Sequence, residues 1–306
     1  TAFLHVFAEG HHAGLRTESE VFALAEKWAE YRKKPGSFIM FILVHLATLI
    51  TVLSIGFLLV YVLVKGVPNL NADIFSWEYT SDNCSLVPAL INTVYMTLLS
   101  LLIAGPIGIF AAIYLVEYAK TGNKLVGVVR ITAETLTGIP SIVYGLFGML
   151  FFTNACGLRL SLISGALTLA IMVLPVIMRT TEEALMAVPK SYREGSFGLG
   201  AGKLRTVFKV VLPSAVPGIL SGIILATGRI VGETAALIYT AGSVAKMATK
   251  LTDSTRTLAV HMYLLSKEGL HTDQGYATAV VLLVLVVLIN FASDKIAGKV
   301  AADKAN

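Results

Sequence analysis

The chain has 306 residues, 56% of them hydrophobic and only 14% charged, with a net charge of +5 and a mean hydropathy of +0.77. A soluble domain carries roughly 25% charged residues, so this composition excludes an ordinary soluble protein and points to a polytopic helical membrane protein. The apolar runs are long and continuous rather than short and alternating, which excludes a transmembrane barrel. The positive charge does not argue for nucleic acid, because the basic residues lie between hydrophobic runs, where they bias topology.

Residues 1–37 precede the first apolar run and form a candidate N-terminal segment, with 38–306 as the membrane domain. Thr17 and Glu20 match a capping box that opens a helix. Val21, Leu24, Trp28 and Tyr31 then share one face, as in a helix lying on a membrane surface. A solvated arm docked on the protein's own loops reads equally well. His5, His11 and His12 have no matching Cys or carboxylate spacing and read as a polar tail rather than a metal site. No cleavable leader is expected, since the first apolar run is too long for a signal h-region.

Six spans are expected, each near the roughly 20 residues needed to cross ~30 Å of hydrocarbon. The first covers 38–64, after Arg32, Lys33 and Lys34, which place the N-terminus in the cytoplasm. The second covers 88–116, with a kink expected at Gly105-Pro106. After a polar approach the third starts at Pro140 and ends near 153–156, which puts Ser141 at a helix N-terminus. Ser141 is there either as a plain cap or as a hydroxyl in an anion-favouring position. The fourth covers 162–178. The basic stretch that follows holds Arg179, Lys190, Arg193, Lys203, Arg205 and Lys209 and is cytoplasmic. The fifth covers 215–240 and the sixth 276–292, so both ends are inside. Thr257–Ser266 is an amphipathic piece of the outer segment between them. Cys84 and Cys156 both fall outside, where a disulfide or two free thiols are open alternatives.

The fifth span carries the chemistry. Arg229 and Glu233 lie in an apolar run, and a charge at that depth costs roughly 2.5–3.5 kcal/mol on insertion scales, so it needs a partner or a use. On a continuous helix they share a face and reach each other. Gly228, Gly232 and Ala236 form a small-xxx-small row that lets another helix approach. A guanidinium presents a planar fork of donors suited to phosphate oxygens; Glu233 would hold it until an anion takes its place, and Thr234 adds a hydroxyl. A permanent structural ion pair is the alternative. Arg179, at the inner end of a span, reads as a residue that snorkels to the interface.

The stretch Gly198-Leu-Gly-Ala-Gly-Lys203 is not a Walker A loop: the required glycine and hydroxyl positions hold Phe197 and Leu204. No other nucleotide, nucleophile or metal motif is present in the sequence, so no cofactor and no enzyme activity are expected. The same region runs Glu194-Gly195-Ser196, then Gly200, then Val210, Leu212 and Pro213. This spacing resembles the EAA signature of permeases from bacterial ABC importers, with Gly200 suited to positive φ at a chain reversal. The segments GIPSIVYGLFG (138–148), IMRTTEEAL (177–185), VPKSYREGSFGLGA (188–201) and GRIVGETAALIYTAG (228–242) resemble the A-type permease of phosphate-specific importers, as does IYLVEYA (113–119).

The resemblance implies the type I ABC importer permease fold in the bacterial inner membrane and a coupling loop over 181–209. It implies ATPase contact through Glu194, Gly195, Ser196, Gly200 and Pro213, and a substrate pathway at Arg229 and Glu233, to which the residues themselves add the hydroxyls of Thr234 and Ser141. Expected partners are a C-type permease, two ATPase subunits, an extracytoplasmic phosphate-binding protein, phosphate and lipid. A permease for another oxyanion, or an ion-coupled secondary transporter or channel, are the alternative functions.

Overall fold

A computed structural model describes residues 35–120 and 122–302. The capping box, the amphipathic N-terminal face and the three N-terminal histidines lie outside these residues. The chain divides into two compact units, 1–61 and 62–306. The described part of the first is most of α1 (Pro35–Gly66), a 32-residue helix that is apolar all round, with large side chains exposed along its length. Such a helix has no polar face to turn to water and is suited to lipid.

Among the described residues the second unit consists of helices and the loops that join them, with no strand. Helix α2 (Val87–Ile113) continues into a π-helical turn, Tyr114–Tyr118. Then come α3 (Lys124–Thr137), α4 (Ser141–Gly148) with a π-helical extension to Ala155, and α5 (Leu162–Ala187). Helix α6 (Lys190–Gly198) and α7 (Lys203–Thr206) flank a turn, and α7 runs through π-helical Val207–Val211 into α8 (Leu212–Val231). Short α9 (Ala235–Thr240), α10 (Leu258–Glu268) and α11 (Thr272–Ala302) complete the chain.

Among the described residues five helices are long and apolar enough to cross a membrane, or six if the bent pair of α3 and α4 with its extension is one span. The expected polar approach to the third span is therefore a helix. Asn123 caps α3 by accepting from the Leu125 N–H at 3.0 Å, and the chain turns by 105° between Thr137 and Ser141. Tyr144 holds this corner, its hydroxyl donating to the Leu136 carbonyl at 2.7 Å.

The fourth span outruns its expected end at Met178. Nothing between Met178 and Ala187 breaks a helix; the first stop is Val188, whose ψ of 126° is extended because Pro189 follows it. The loop expected from residue 181 thus begins as the last turns of α5. Pro106, Pro175 and Pro217 lie inside helices, which packed neighbours in a membrane bundle allow.

Helices α2, α5 and α8 make the core, where α2 meets α5 and α5 meets α8. Glycines set these approaches: a Cβ on Gly108 would stand 3.0 Å from Ile177, and one on Gly218 2.6 Å from Ala184. Small residues substitute here for the hydrophobic driving force that lipid removes. One apolar cluster joins Met96, Leu169, Met172, Ile230 and Leu237. A second, towards the basic end, joins Ile113, Leu185, Val207, Val211 and Ala215.

On the opposite side the segment between α9 and α10 is pinned by buried Asn92. Its side chain donates to the Lys246 carbonyl at 2.8 Å and accepts from the Ala248 N–H at 2.9 Å. The first N–H groups of α5 are satisfied by the same segment, Leu162 donating to the Asp253 carbonyl and Ile163 to that of Leu251. Cys84 is buried and Cys156 exposed, and both are free thiols, so the disulfide alternative does not hold.

Candidate functional site

The fifth span is broken where the sequence puts its charge. Helix α8 ends at Val231, and Gly232, Glu233 and Thr234 separate it from α9. Glycine is the least helix-favouring residue here apart from proline, and the glutamate beside it offers the backbone a local partner. Glu233 takes that role: its Oε1 accepts the Ala236 N–H at 3.0 Å, and the residue is only 8% exposed.

Two expectations fail for this reason. Arg229 and Glu233 do not pair, because the i, i+4 relation needs an unbroken helix and the carboxylate is spent on the start of α9. Nor do Gly228, Gly232 and Ala236 form one packing row. Gly228 has open space where a Cβ would go, and Gly232 meets only its own helix. Ala236 alone is packed, against Gly145 of α4.

Arg229 sits in the last turn of α8, where a cation complements the helix dipole. It is half-buried and makes no hydrogen bond or ion pair among the described residues. Buried Tyr144 lies within electrostatic reach of its guanidinium. Thr234, at the cap position of α9, is partly exposed, and its hydroxyl has only a 3.5 Å contact with the Gly232 carbonyl. Ser141 is the first residue of α4, where Pro140 holds the cap position without a side-chain bond. The plain-cap alternative for Ser141 is thus not realised. No hydrogen bond joins Ser141, Arg229 and Thr234 to one another among the described residues.

At the basic end, α6 and α7 form the helix–turn–helix that the spacing implied. Gly200 has φ of +81°, in the left-handed region, and its amide closes the turn on the Phe197 carbonyl at 2.9 Å. Ser196 bonds Thr206 across the turn, hydroxyl to hydroxyl, at 2.8 Å. Glu194 and Gly195 are exposed, and Leu199 at the tip is 91% exposed. Pro213 lies in the first turn of α8, away from that tip.

Sequence reasoning missed the ion pairs around this end. Arg193 bonds Glu117 through Nε at 3.0 Å and Nη2 at 2.6 Å. Arg130 pairs with Glu182 at 2.5 Å, and Arg179 with Glu134 and Glu183. Arg179 therefore joins a network beside a cavity of about 280 Å³ between α3 and α5 instead of snorkelling alone. The available signal was Glu117 and Glu182: carboxylates at the ends of apolar runs need a cation nearby.

Up to six apolar helices packed around a few charged side chains, with an exposed helix–turn–helix at the basic end, belong to a membrane-embedded protein. These features define a multi-pass membrane protein. The family described as "Binding-protein-dependent transport system inner membrane component" matches residues 104–302, and the chain belongs to it. The probable ABC transporter permease protein YqgI of Bacillus subtilis (strain 168) is 33% identical over 270 residues, covering 81% of this chain and 90% of that one. The phosphate transport system permease protein PstA of Xylella fastidiosa (strain 9a5c) is 40% identical over 179 residues, 58% of this chain and 62% of that one. Among solved structures, a methionine ABC transporter, MetNI, in inward-facing conformations aligns with a TM-score of 0.55 at 25% identity, over 68% of this chain and 93% of that one.

Proposed function

We propose that this chain is the A-type permease subunit of an ATP-driven phosphate importer, forming half of the pathway and hydrolysing nothing itself. The observation that carries the reading is Arg229: a guanidinium at a helix break in an apolar span, with no carboxylate on it among the described residues. Removing a cation from water without a partner is costly, so it is kept for an anion that visits. The similarity to a phosphate transport permease supports phosphate as that anion.

In this reading Arg229 binds the anion through its donor fork. Thr234 and Ser141 supply hydroxyls at the ends of α9 and α4. Glu233 no longer serves as the exchangeable counter-ion; it positions α9 by holding the Ala236 amide. A C-type permease completes the pathway from the side on which Gly228 and Gly232 are open, an extracytoplasmic phosphate-binding protein delivers the solute, and two ATPase subunits dock on the turn bearing Glu194, Gly195, Ser196 and Gly200. Pro213 starts α8 and sets the direction in which that turn is carried.

The test is Arg229→Gln in the assembled complex, with phosphate uptake and subunit content measured separately. Uptake should fall at least about tenfold, as loss of a charge-assisted site implies, with all subunits retained. Normal uptake by a complete complex would remove Arg229 from the pathway. Competition by sulfate or molybdate equal to that of phosphate would assign the permease to another oxyanion.

A further inference from the structure

Chain connectivity attaches the coupling turn to only two spans. Helix α6 follows α5, and α7 leads into α8. The second span is more than 70 residues away in sequence, yet its inner end is gripped from both arms of the turn. Arg193 on α6 holds Glu117 through two N–H groups, while Nη1 donates to the Val188 carbonyl at 2.9 Å and Nη2 also to that of Leu185 at 2.9 Å. On the other arm, the Lys203 ammonium lies 5.0 Å from the centre of the Tyr118 ring. The Ser196–Thr206 bond closes the arms on each other.

The Arg193 grip is not a surface ion pair of negligible worth. The Arg193 and Glu117 side chains are 18% and 9% exposed, so water screens them little. The guanidinium fork fixes direction as well as distance, which a lysine would not. Its two carbonyl partners close the end of α5: Leu185 in the last turn, which also accepts the Val188 N–H at 3.4 Å, and Val188, the cap residue that follows the helix. Beneath it, Ile113, Leu185, Val207 and Val211 pack in one apolar cluster, so the inner ends of α2, α5 and α8 share a core.

We infer that Arg193 is a positioning residue for energy coupling: it locks the coupling turn to the inner end of the second span, so that α6, α7 and the inner ends of α2, α5 and α8 move as one rigid body. Motion imposed on the turn then reaches a span that the chain itself does not connect to it. This rests on the reading above that an ATPase docks on the turn.

The experiment uses the full complex in lipid, with spin labels at exposed Lys120 and Ser191, one beside each end of the grip. With Arg193 present, the label distance stays constant between nucleotide-free and ATP-bound states. Arg193→Met makes the distance ATP-dependent and lowers solute-stimulated ATPase by about tenfold, the scale of a coupling energy near 1.4 kcal/mol, with basal ATPase unchanged. Arg193→Lys, which keeps the charge without the fork, gives an intermediate loss and serves if Arg193→Met does not assemble. A label distance that shifts on ATP binding in the unmutated grip overturns the inference, as does full stimulation in the Arg193→Lys and Arg193→Met complexes. The distance readout needs no solute, so an error about phosphate shows separately, as an unmutated complex that phosphate fails to stimulate.

Discussion

Gly145 of α4 and Ala236 of α9 meet backbone to backbone: a Cβ on the glycine would stand 2.8 Å from the Ala236 Cα and 3.2 Å from the Ala235 carbonyl oxygen. This contact holds the short helix beyond the break against the third span, next to Tyr144 and the corner it fastens. The obstruction is backbone, so no side chain can rotate away. Gly145→Ala should destabilise the protein by about 1–3 kcal/mol, as overpacking does, and lower its melting temperature in detergent. Gly228→Ala, inside α8 with nothing within 4 Å of the new methyl group among the described residues, should hold or slightly raise the isolated subunit's melting temperature, since alanine favours a helix over glycine by up to about 1 kcal/mol.

Glu233 separates two roles that its charge alone would merge. As the acceptor for the Ala236 amide it needs an oxygen, not a charge. Glu233→Gln should keep most of the stability, whereas Glu233→Ala should lose about 1 kcal/mol, the usual cost of a lost helix cap. Thermal melting of the two variants side by side checks this. Equal losses would mean that the carboxylate charge, and not the bond, is what the site needs.

Gly200 pays for its turn through backbone conformation alone. Its φ is +81°, and the space around it is open. Gly200→Ala should therefore cost about 1–2 kcal/mol, the penalty of an L-residue in the left-handed region, without any steric clash. The expected signature is weakened ATPase retention during co-purification with the membrane domain's own melting little changed, since the turn lies outside the packed core.

His261 gives the outer side a pH dependence. It is fully buried, with Nε2 3.3 Å from the Cys84 carbonyl and the Tyr79 ring edge-on at 5.9 Å. A carbonyl only accepts, so this bond needs the proton on Nε2. Burial first, and then the neighbouring Arg256 charge, push its pKa down to about 3. Arg256 is itself buried and lies 4.5 Å from the centre of the Tyr79 ring. The folded-state value is depressed, so below an ordinary histidine value near 6.5 the unfolded chain binds a proton that the folded chain refuses. Stability is full above that value and falls as pH drops from about 6.5 towards 3, by up to ~1.4 kcal/mol per pH unit. His261→Gln should flatten the slope of melting temperature between pH 6.5 and 4.5; an unchanged slope would assign it to other groups.

Much of this architecture was legible in the residues themselves. Apolar runs and the basic loops between them gave the spans, because hydrocarbon tolerates no unsatisfied backbone and forces each long run into a helix. The spacing from Glu194 to Pro213 gave the turn, and Gly200 has the positive φ that its position required. Arg229 was visible as a charge that lipid would not tolerate without a use.

Tertiary structure alone decided how those charges are spent. Periodicity assumes an unbroken helix, so it joined Arg229 to Glu233; the break at Gly232 gave the carboxylate to a backbone amide and left the arginine without an ion pair among the described residues. The same local view ended α5 at Met178, although no residue before Val188 stops a helix. Arg193 and Glu117 stand 76 residues apart, and their pairing depends on packing that brings the inner ends of α2 and α5 together. Sequence fixes which groups cannot stay alone in lipid, because that cost is local; which partner each one finds is set by where the helices meet.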